Sequence, residues 1–263
     1  IGNPRLDVTD IKKLAELAHS FDIPLIMDNT VATAYLVKPL SLGADIVVNS
    51  TSKYINANSS AISGVITDGG KFKWDTEKYP GMKDFKKFGP FAYTAKLRNG
   101  LFRNTGACLS PQNAFYNSIG METLGLRMER VCDNAKTLAQ FFATEYSDIE
   151  VNYPGLAGSK WHNIATEQFG DKFGGIITIR TGNKKRAFGI IDALKLPLIV
   201  SNIGDTKTLV IHPESTLNVH STQEEKETAG VFDDLIRISV GIEDIEDLID
   251  DFKQAIESVK DVY

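Results

Sequence analysis

Two short apolar runs that each close on polar residues organise the first quarter of the chain. Ile23-Pro24-Leu25-Ile26-Met27 leads into Asp28-Asn29-Thr30, and Ala44-Asp45-Ile46-Val47-Val48 leads into Asn49-Ser50-Thr51-Ser52-Lys53-Tyr54. Buried β-branched runs of this kind read as parallel-type strands, and a third candidate covers 62–67. Ahead of them, Asp7 or Thr9 can cap a first helix with Ile11, Leu14, Leu17 and Ala18 on one face. Residues 71–89 are polar but carry several aromatics and read as an excursion over the surface. A helix is expected over 92–104. A longer one should start with Ser110 as cap and Pro111 at its first position. It continues to about residue 144, with a bend near Gly120 or Gly125.

After Asn152-Tyr153-Pro154-Gly155 the texture changes. Strand-like 176–180, helix-like 184–194, strand-like 198–200, 208–211 and 235–240, and a terminal helix make an α+β unit. In that last helix Ile245, Leu248, Ile249, Phe252, Ala255, Ile256 and Val259 keep one apolar stripe opposite acidic residues. The expected fold class is α/β: residues 1–125 as part of a large α/β domain, and residues 126–263 as a smaller α+β domain.

Composition narrows the function classes. The 263 residues are 42% hydrophobic and 24% charged, an ordinary globular mixture. No run is apolar enough to span a membrane. A net charge of −5 with mixed signs gives no electrostatic case for nucleic acid. Cys108 and Cys132 read as reduced structural thiols, and His19, His162, His212 and His220 lack metal-ligand spacing. These features fit a cytoplasmic protein with no metal site.

The chemistry is concentrated at the two strand ends. Groups just past the carboxyl ends of parallel strands face a common crevice, and one strand–crossover–strand unit separates Asp28 from Lys53, so both can emerge on one edge. A lysine forms an imine with an aldehyde when desolvation or a neighbouring cation leaves some of its amine neutral. Ser50 and Ser52 offer hydroxyls to a phosphate, and a buried Asp28 would keep a pyridine nitrogen protonated, making the ring an electron sink. Together these are the parts needed to hold pyridoxal 5'-phosphate. Each alone has a plainer explanation: a solvated lysine, turn serines, a helix-capping aspartate. Arg237, inside the apolar strand 235–240, calls for an anionic partner, either a structural carboxylate or that of a ligand.

Asn3-Pro4, Asp28-Asn29-Thr30 and Ser50-Thr51-Ser52-Lys53 resemble, in order and spacing, motifs of the cysteine/methionine-metabolism family of pyridoxal-phosphate enzymes. So do Gly106-Ala107-Cys108-Leu109-Ser110-Pro111, Leu126-Arg127-Met128-Glu129-Arg130, Asn202-Ile203-Gly204-Asp205 and the 235–243 segment. The Asn-Ile-Gly-Asp segment is most similar to the family's O-acetylhomoserine sulfhydrylase branch. The resemblance implies a fold-type I (aspartate aminotransferase-like) architecture, matched from the C-terminal part of a longer enzyme. It implies Lys53 as the cofactor-bearing catalytic lysine, and Asn3, Asp28, Ser50 and Ser52 as cofactor contacts. Asn202 and Arg237 would lie at the substrate, with Arg237 on its α-carboxylate. It further implies replacement at Cγ of O-acetylhomoserine by sulfide or a thiol, in a homo-oligomer (dimer or tetramer). Cystathionine γ-synthase, the cystathionine lyases and methionine γ-lyase share nearly all these residues and remain alternatives, as does an inactive piece or one subunit of a split enzyme. At Asn56-Ala57-Asn58-Ser59-Ser60 the chain departs from the branch, which usually has glycines flanking a histidine.

Overall fold

The computed structural model describes residues 1–259. Strands β1 (Ile26–Asp28), β2 (Ile46–Ser50) and β3 (Gly64–Asp68) form one sheet in that order. β1 and β2 are parallel, with Asp28 opposite Val48. Their carboxyl ends therefore share an edge, and the polar tails of the two apolar runs meet there. β3 returns antiparallel, with Gly64 opposite Ser50. The intervening loop has no crossover helix, which a parallel pairing would require.

The first helix, Ile11–Ser20, is capped by Asp10, whose carboxylate accepts the Lys13 N–H at 3.1 Å, and not by Asp7 or Thr9. Ile11 and Ala15 are buried, whereas Leu14 and Leu17 face solvent. The 92–104 helix is present with a π-helical turn, Leu97–Phe102, in its middle. The long helix is two helices, Pro111–Glu122 and Leu124–Glu145, separated at Thr123 (φ −108°, ψ 5°) between the two glycines. Arg127 draws the chain apart there: its Nη2 takes the Gly120 carbonyl at 2.6 Å and its Nε the Thr123 hydroxyl at 3.0 Å. Residues 72–93 pack Phe72, Trp74, Tyr79 and Tyr93 against one another, which gives the excursion a small aromatic core of its own.

A second sheet is built from β4 (Glu150–Asn152), β5 (Ile176–Arg180), β6 (Leu198–Ile199), β7 (Leu209–Ile211) and β8 (Leu235–Ser239), in the order β4-β5-β8-β7-β6. All pairs are antiparallel except β6–β7. Side chains alternate along β8. Ile236 and Ile238 join Ile177 and Ile179 in the core, which turns Arg237 onto the opposite face. Helices Leu124–Glu145 and Ile245–Ser258 close over this core, where Phe142 and Phe252 meet edge to face with centroids 5.2 Å apart. The same cluster takes in Ile11, Ala15 and Leu36, so one core runs across the expected boundary at residue 125. Among the described residues, no helix is long and apolar enough to cross a membrane.

Candidate functional site

Lys53 lies in a tight turn just past β2. The Thr51 and Ser52 N–H groups both donate to the Ser63 carbonyl (3.1 and 3.3 Å), and the Asn56 N–H donates to the Thr51 carbonyl at 2.9 Å. The Lys53 amine is half-buried and donates to Asn202 Oδ1. Burial in the first place, and the Arg237 charge in the second, push its pKa below the ordinary lysine value. Both act by disfavouring the charged ammonium form.

Asn202 reaches Lys53 because its loop packs directly on the backbone that follows the lysine. Gly204 has φ +72°, and a Cβ there would stand 2.7 Å from the Tyr54 nitrogen. Only glycine permits both that conformation and that approach. The loop is tied down further by the Gly204 N–H to Ser239 Oγ (3.0 Å) and by the Thr206 N–H to the Ala57 carbonyl (2.8 Å).

Arg237 is 2% exposed. Its Nη2 donates to the carbonyls of Ser201 (3.0 Å) and Asn202 (2.9 Å), and its Nη1 to Asn3 Oδ1 at 3.4 Å. Its Nε has no partner. No ion pair to a carboxylate forms at Arg237 among the described residues, so the structural ion pair that sequence alone left open is not realised. Burial lowers its pKa to about 10. A buried cation with one donor idle, and no ion pair among the described residues, leaves room for an anion.

The structure thus joins Lys53, Asn202, Arg237 and Asn3 through direct hydrogen bonds. Ser50, Ser52 and Asp28 lie on the shared sheet edge without bonding to that group. Ser52 Oγ donates to the Ser63 carbonyl (3.1 Å) and accepts the Ser63 N–H (2.8 Å), so its hydrogen is already engaged. Ser50 is half-buried, and its backbone N–H donates to Thr30 Oγ1 at 2.8 Å. Asp28, expected to be buried, is exposed. Its carboxylate accepts the Thr30 N–H at 2.8 Å, the turn-forming role that short acidic side chains also play. The face around it is open, with Ile26 and Ile66 of the same sheet also exposed.

Sequence reasoning did not single out Arg127 as a site residue. Its guanidinium holds the carbonyls of Tyr54, at 2.5 Å, and Gly120, and so anchors the segment after the lysine to the helix pair. Its place in the Leu-Arg-Met-Glu-Arg motif was the only signal available. Of the thiols, Cys132 is buried, which pushes it up to about 12, and Cys108 is exposed.

Comparison with known proteins bears on the family and the fold. The family model described as "Cys/Met metabolism PLP-dependent enzyme" matches residues 1–257. An O-acetyl-L-homoserine sulfhydrylase of Corynebacterium glutamicum is 42% identical over 96% of this chain and 61% of its own length. A homocysteine synthase of Schizosaccharomyces pombe is 39% identical over 98% of the chain and 63% of its own. Among solved structures, an O-acetylhomoserine (thiol)-lyase from Campylobacter jejuni, carrying a pyridoxyl-lysine monophosphate, superposes with a TM-score of 0.91. It is 34% identical, with 97% of this chain and 64% of that one covered. The chain therefore spans somewhat under two thirds of the relatives it matches. A model match over nearly the whole chain, and a fold shared with those relatives, make it a member of the Cys/Met-metabolism family of PLP-dependent enzymes.

Proposed function

We propose that this chain is the lysine-bearing part of an enzyme that uses pyridoxal 5'-phosphate to replace the Cγ substituent of O-acetylhomoserine with sulfide or a thiol, giving homocysteine or methionine and acetate. The observation that carries the reading is the pair formed by a half-buried, pKa-depressed Lys53 and a buried Arg237 that makes no ion pair among the described residues. The donor set fits the cofactor. Lys53 supplies an amine whose charged form burial disfavours, Arg237 an idle Nε–H, and Ser50 and Asp28 stand at the carboxyl ends of β2 and β1.

When bound, the cofactor supplies an electrophilic carbonyl and an electron sink. Lys53 would hold the cofactor through its amine and is placed to take and return protons at Nζ. Arg237 grips the α-carboxylate of the amino-acid substrate in its planar fork, and Asn3 steadies the guanidinium. Asn202 holds the lysine amine from one side. Asp28 would hold the cofactor's ring nitrogen, and Ser50 would offer its hydroxyl to the phosphate. Ser52 can do so only by giving up its bond to the Ser63 carbonyl. Selection between bonds comes from how these groups orient the substrate.

Exposed Phe115, Ile119, Met121 and Leu126 on the paired helices support assembly into a dimer or tetramer, and a cytoplasmic setting suits free thiols. The chain's division at residue 125 into a large α/β part and a smaller α+β part belongs to the same reading. The test is turnover by the intact protein. Sulfide should be consumed with O-acetylhomoserine, and homocysteine should appear. Release of an α-keto acid from cystathionine or methionine, with no sulfide consumption, would move the protein to a lyase reading.

A further inference from the structure

The hydrogen bond from Lys53 to Asn202 is the first link of a chain with fixed polarity. Asn202 Nδ2 donates to Ser59 Oγ at 2.6 Å, and Ser59 Oγ donates to Asp205 Oδ2 at 2.7 Å. Asp205 is buried, and its other oxygen accepts the Lys207 N–H at 3.1 Å and the Thr206 hydroxyl at 3.3 Å. An ionised carboxylate only accepts, so the Ser59 hydrogen is committed to it. The Ser59 oxygen is then left as an acceptor, which draws the Asn202 NH2 toward itself. The remaining end of the amide, Oδ1, must face Lys53.

The backbone is held in an uncommon conformation to achieve this. Ala57 has φ +83° and Ser59 φ +58°, a region that side chains other than glycine rarely adopt. Strain of this kind persists where the surroundings fix it, and here the Thr206 N–H holds the Ala57 carbonyl.

We propose that Ser59 and Asp205 are positioning residues for Lys53, locking the Asn202 amide with its oxygen toward the amine. The proposal rests on the reading of Lys53 given above. With the lock in place, one Nζ hydrogen points at Asn202, which fixes the direction of the remaining hydrogens and, in the neutral amine, of the lone pair. The oxygen also favours the protonated form and so partly offsets burial and the charge of Arg237, the other charged group facing the amine. Without the lock the amide can turn its NH2 toward Lys53 and withdraw that support. Asp205 and its neighbour Lys207, whose Nζ lies 3.7 Å from the carboxylate, are the remaining charges along the chain.

The test reads Lys53 itself. Cofactor-free intact protein is labelled with trace acetic anhydride across a pH range, and the Lys53 peptide is quantified by mass spectrometry against the exposed Lys12. Ser59→Gly suits the positive φ and removes the hydroxyl. Asp205→Asn keeps the shape but lets the Ser59 hydrogen reverse. Each variant should lower the apparent Lys53 pKa by about one unit, the size of one charge-assisted hydrogen bond. The double variant should show the same shift and not the sum, because both act through one chain. An unchanged Lys53 titration in a Ser59→Gly protein with a normal thermal melt overturns the proposal, as do additive shifts. If Asp205→Asn does not fold, the Ser59→Gly titration decides alone. Borohydride reduction in the presence of pyridoxal phosphate is run in parallel. A label away from Lys53 would sink the cofactor reading, while the titration would still report on the hydrogen-bond chain.

Discussion

Gly120 and Gly125 flank the break between the paired helices, and the same substitution at each should have opposite effects on stability. In an exposed helix, glycine to alanine gains up to about 1 kcal/mol by lowering the entropy lost on folding. At Gly125 an added Cβ meets only the edge of the Tyr35 ring, at 3.6 Å, an ordinary contact. Gly125→Ala should therefore stabilise by roughly 0.4–1 kcal/mol. At Gly120 the Cβ would lie 2.3 Å from the Ile55 carbonyl oxygen and 2.8 Å from that of Asn56. These are backbone atoms two and three residues past Lys53, and they cannot rotate aside. Restoring a normal contact requires the helix and the lysine turn to separate by on the order of 1 Å, at a cost of about 1–3 kcal/mol for overpacking. That separation also loosens the Arg127 bond to the Gly120 carbonyl. The clash outweighs the entropic gain, so Gly120→Ala should be destabilised by about 1–2 kcal/mol net. Urea unfolding followed by circular dichroism reads both variants. A Gly120→Ala protein as stable as the parent would mean that the helix is not seated on the lysine turn as described.

Arg237→Met removes a buried cation that makes no ion pair among the described residues, so folding stability should change by no more than about 1 kcal/mol, while the intact protein loses about 2–5 kcal/mol of affinity for an amino-acid carboxylate. Substrate titration beside a thermal melt separates these effects, and unchanged affinity would remove Arg237 from the site. Asp28→Asn should fold normally yet lose most turnover, because a neutral amide cannot hold a ring nitrogen protonated; near-normal turnover would refute the electron-sink role. Glu214 receives Lys184 at 2.8 Å and Lys226 at 2.6 Å, and these bonds hold its carboxyl down at about 2. Because the folded pKa lies below the unfolded one, this contribution is present above the ordinary carboxylate range and is lost as pH falls toward 2. Glu214→Gln should flatten that part of the acid unfolding profile, and an unaltered profile would show the pair to be inconsequential.

What could be read in the sequence was whatever local pattern dictates. The apolar runs gave β1, β2, β5 and β8 to within a few residues, and the Ser110-Pro111 cap gave the start of its helix. Two parallel strands with polar tails were enough to place Asp28 and Lys53 on one edge. Other features depended on distant partners. The break at Thr123 follows from Arg127 reaching across it, and no helical pattern carries that information. The first cap fell to Asp10 because only its carboxylate meets the Lys13 N–H. Asp28 was taken as buried from its place at a strand end, but burial depends on what covers the sheet face, and here Ile26 and Ile66 are uncovered beside it. The short strand β4 and the helices His162–Phe169 and Gln223–Ala229 lacked a strong enough periodicity to be seen. The Asn56–Ser60 departure was visible as missing glycines, but the use of Ser59 appeared only once Asp205 was seen beside it.

The central claim, that Lys53 is the amine that takes the cofactor, is tested most directly by trapping. The intact protein is incubated with pyridoxal 5'-phosphate, reduced with borohydride and digested, and the pyridoxyl mass is located by peptide sequencing. A single label on Lys53, lost in Lys53→Ala but kept in Arg237→Met, is the predicted result. Stoichiometric label on another lysine, with Lys53 unmodified, would contradict the account.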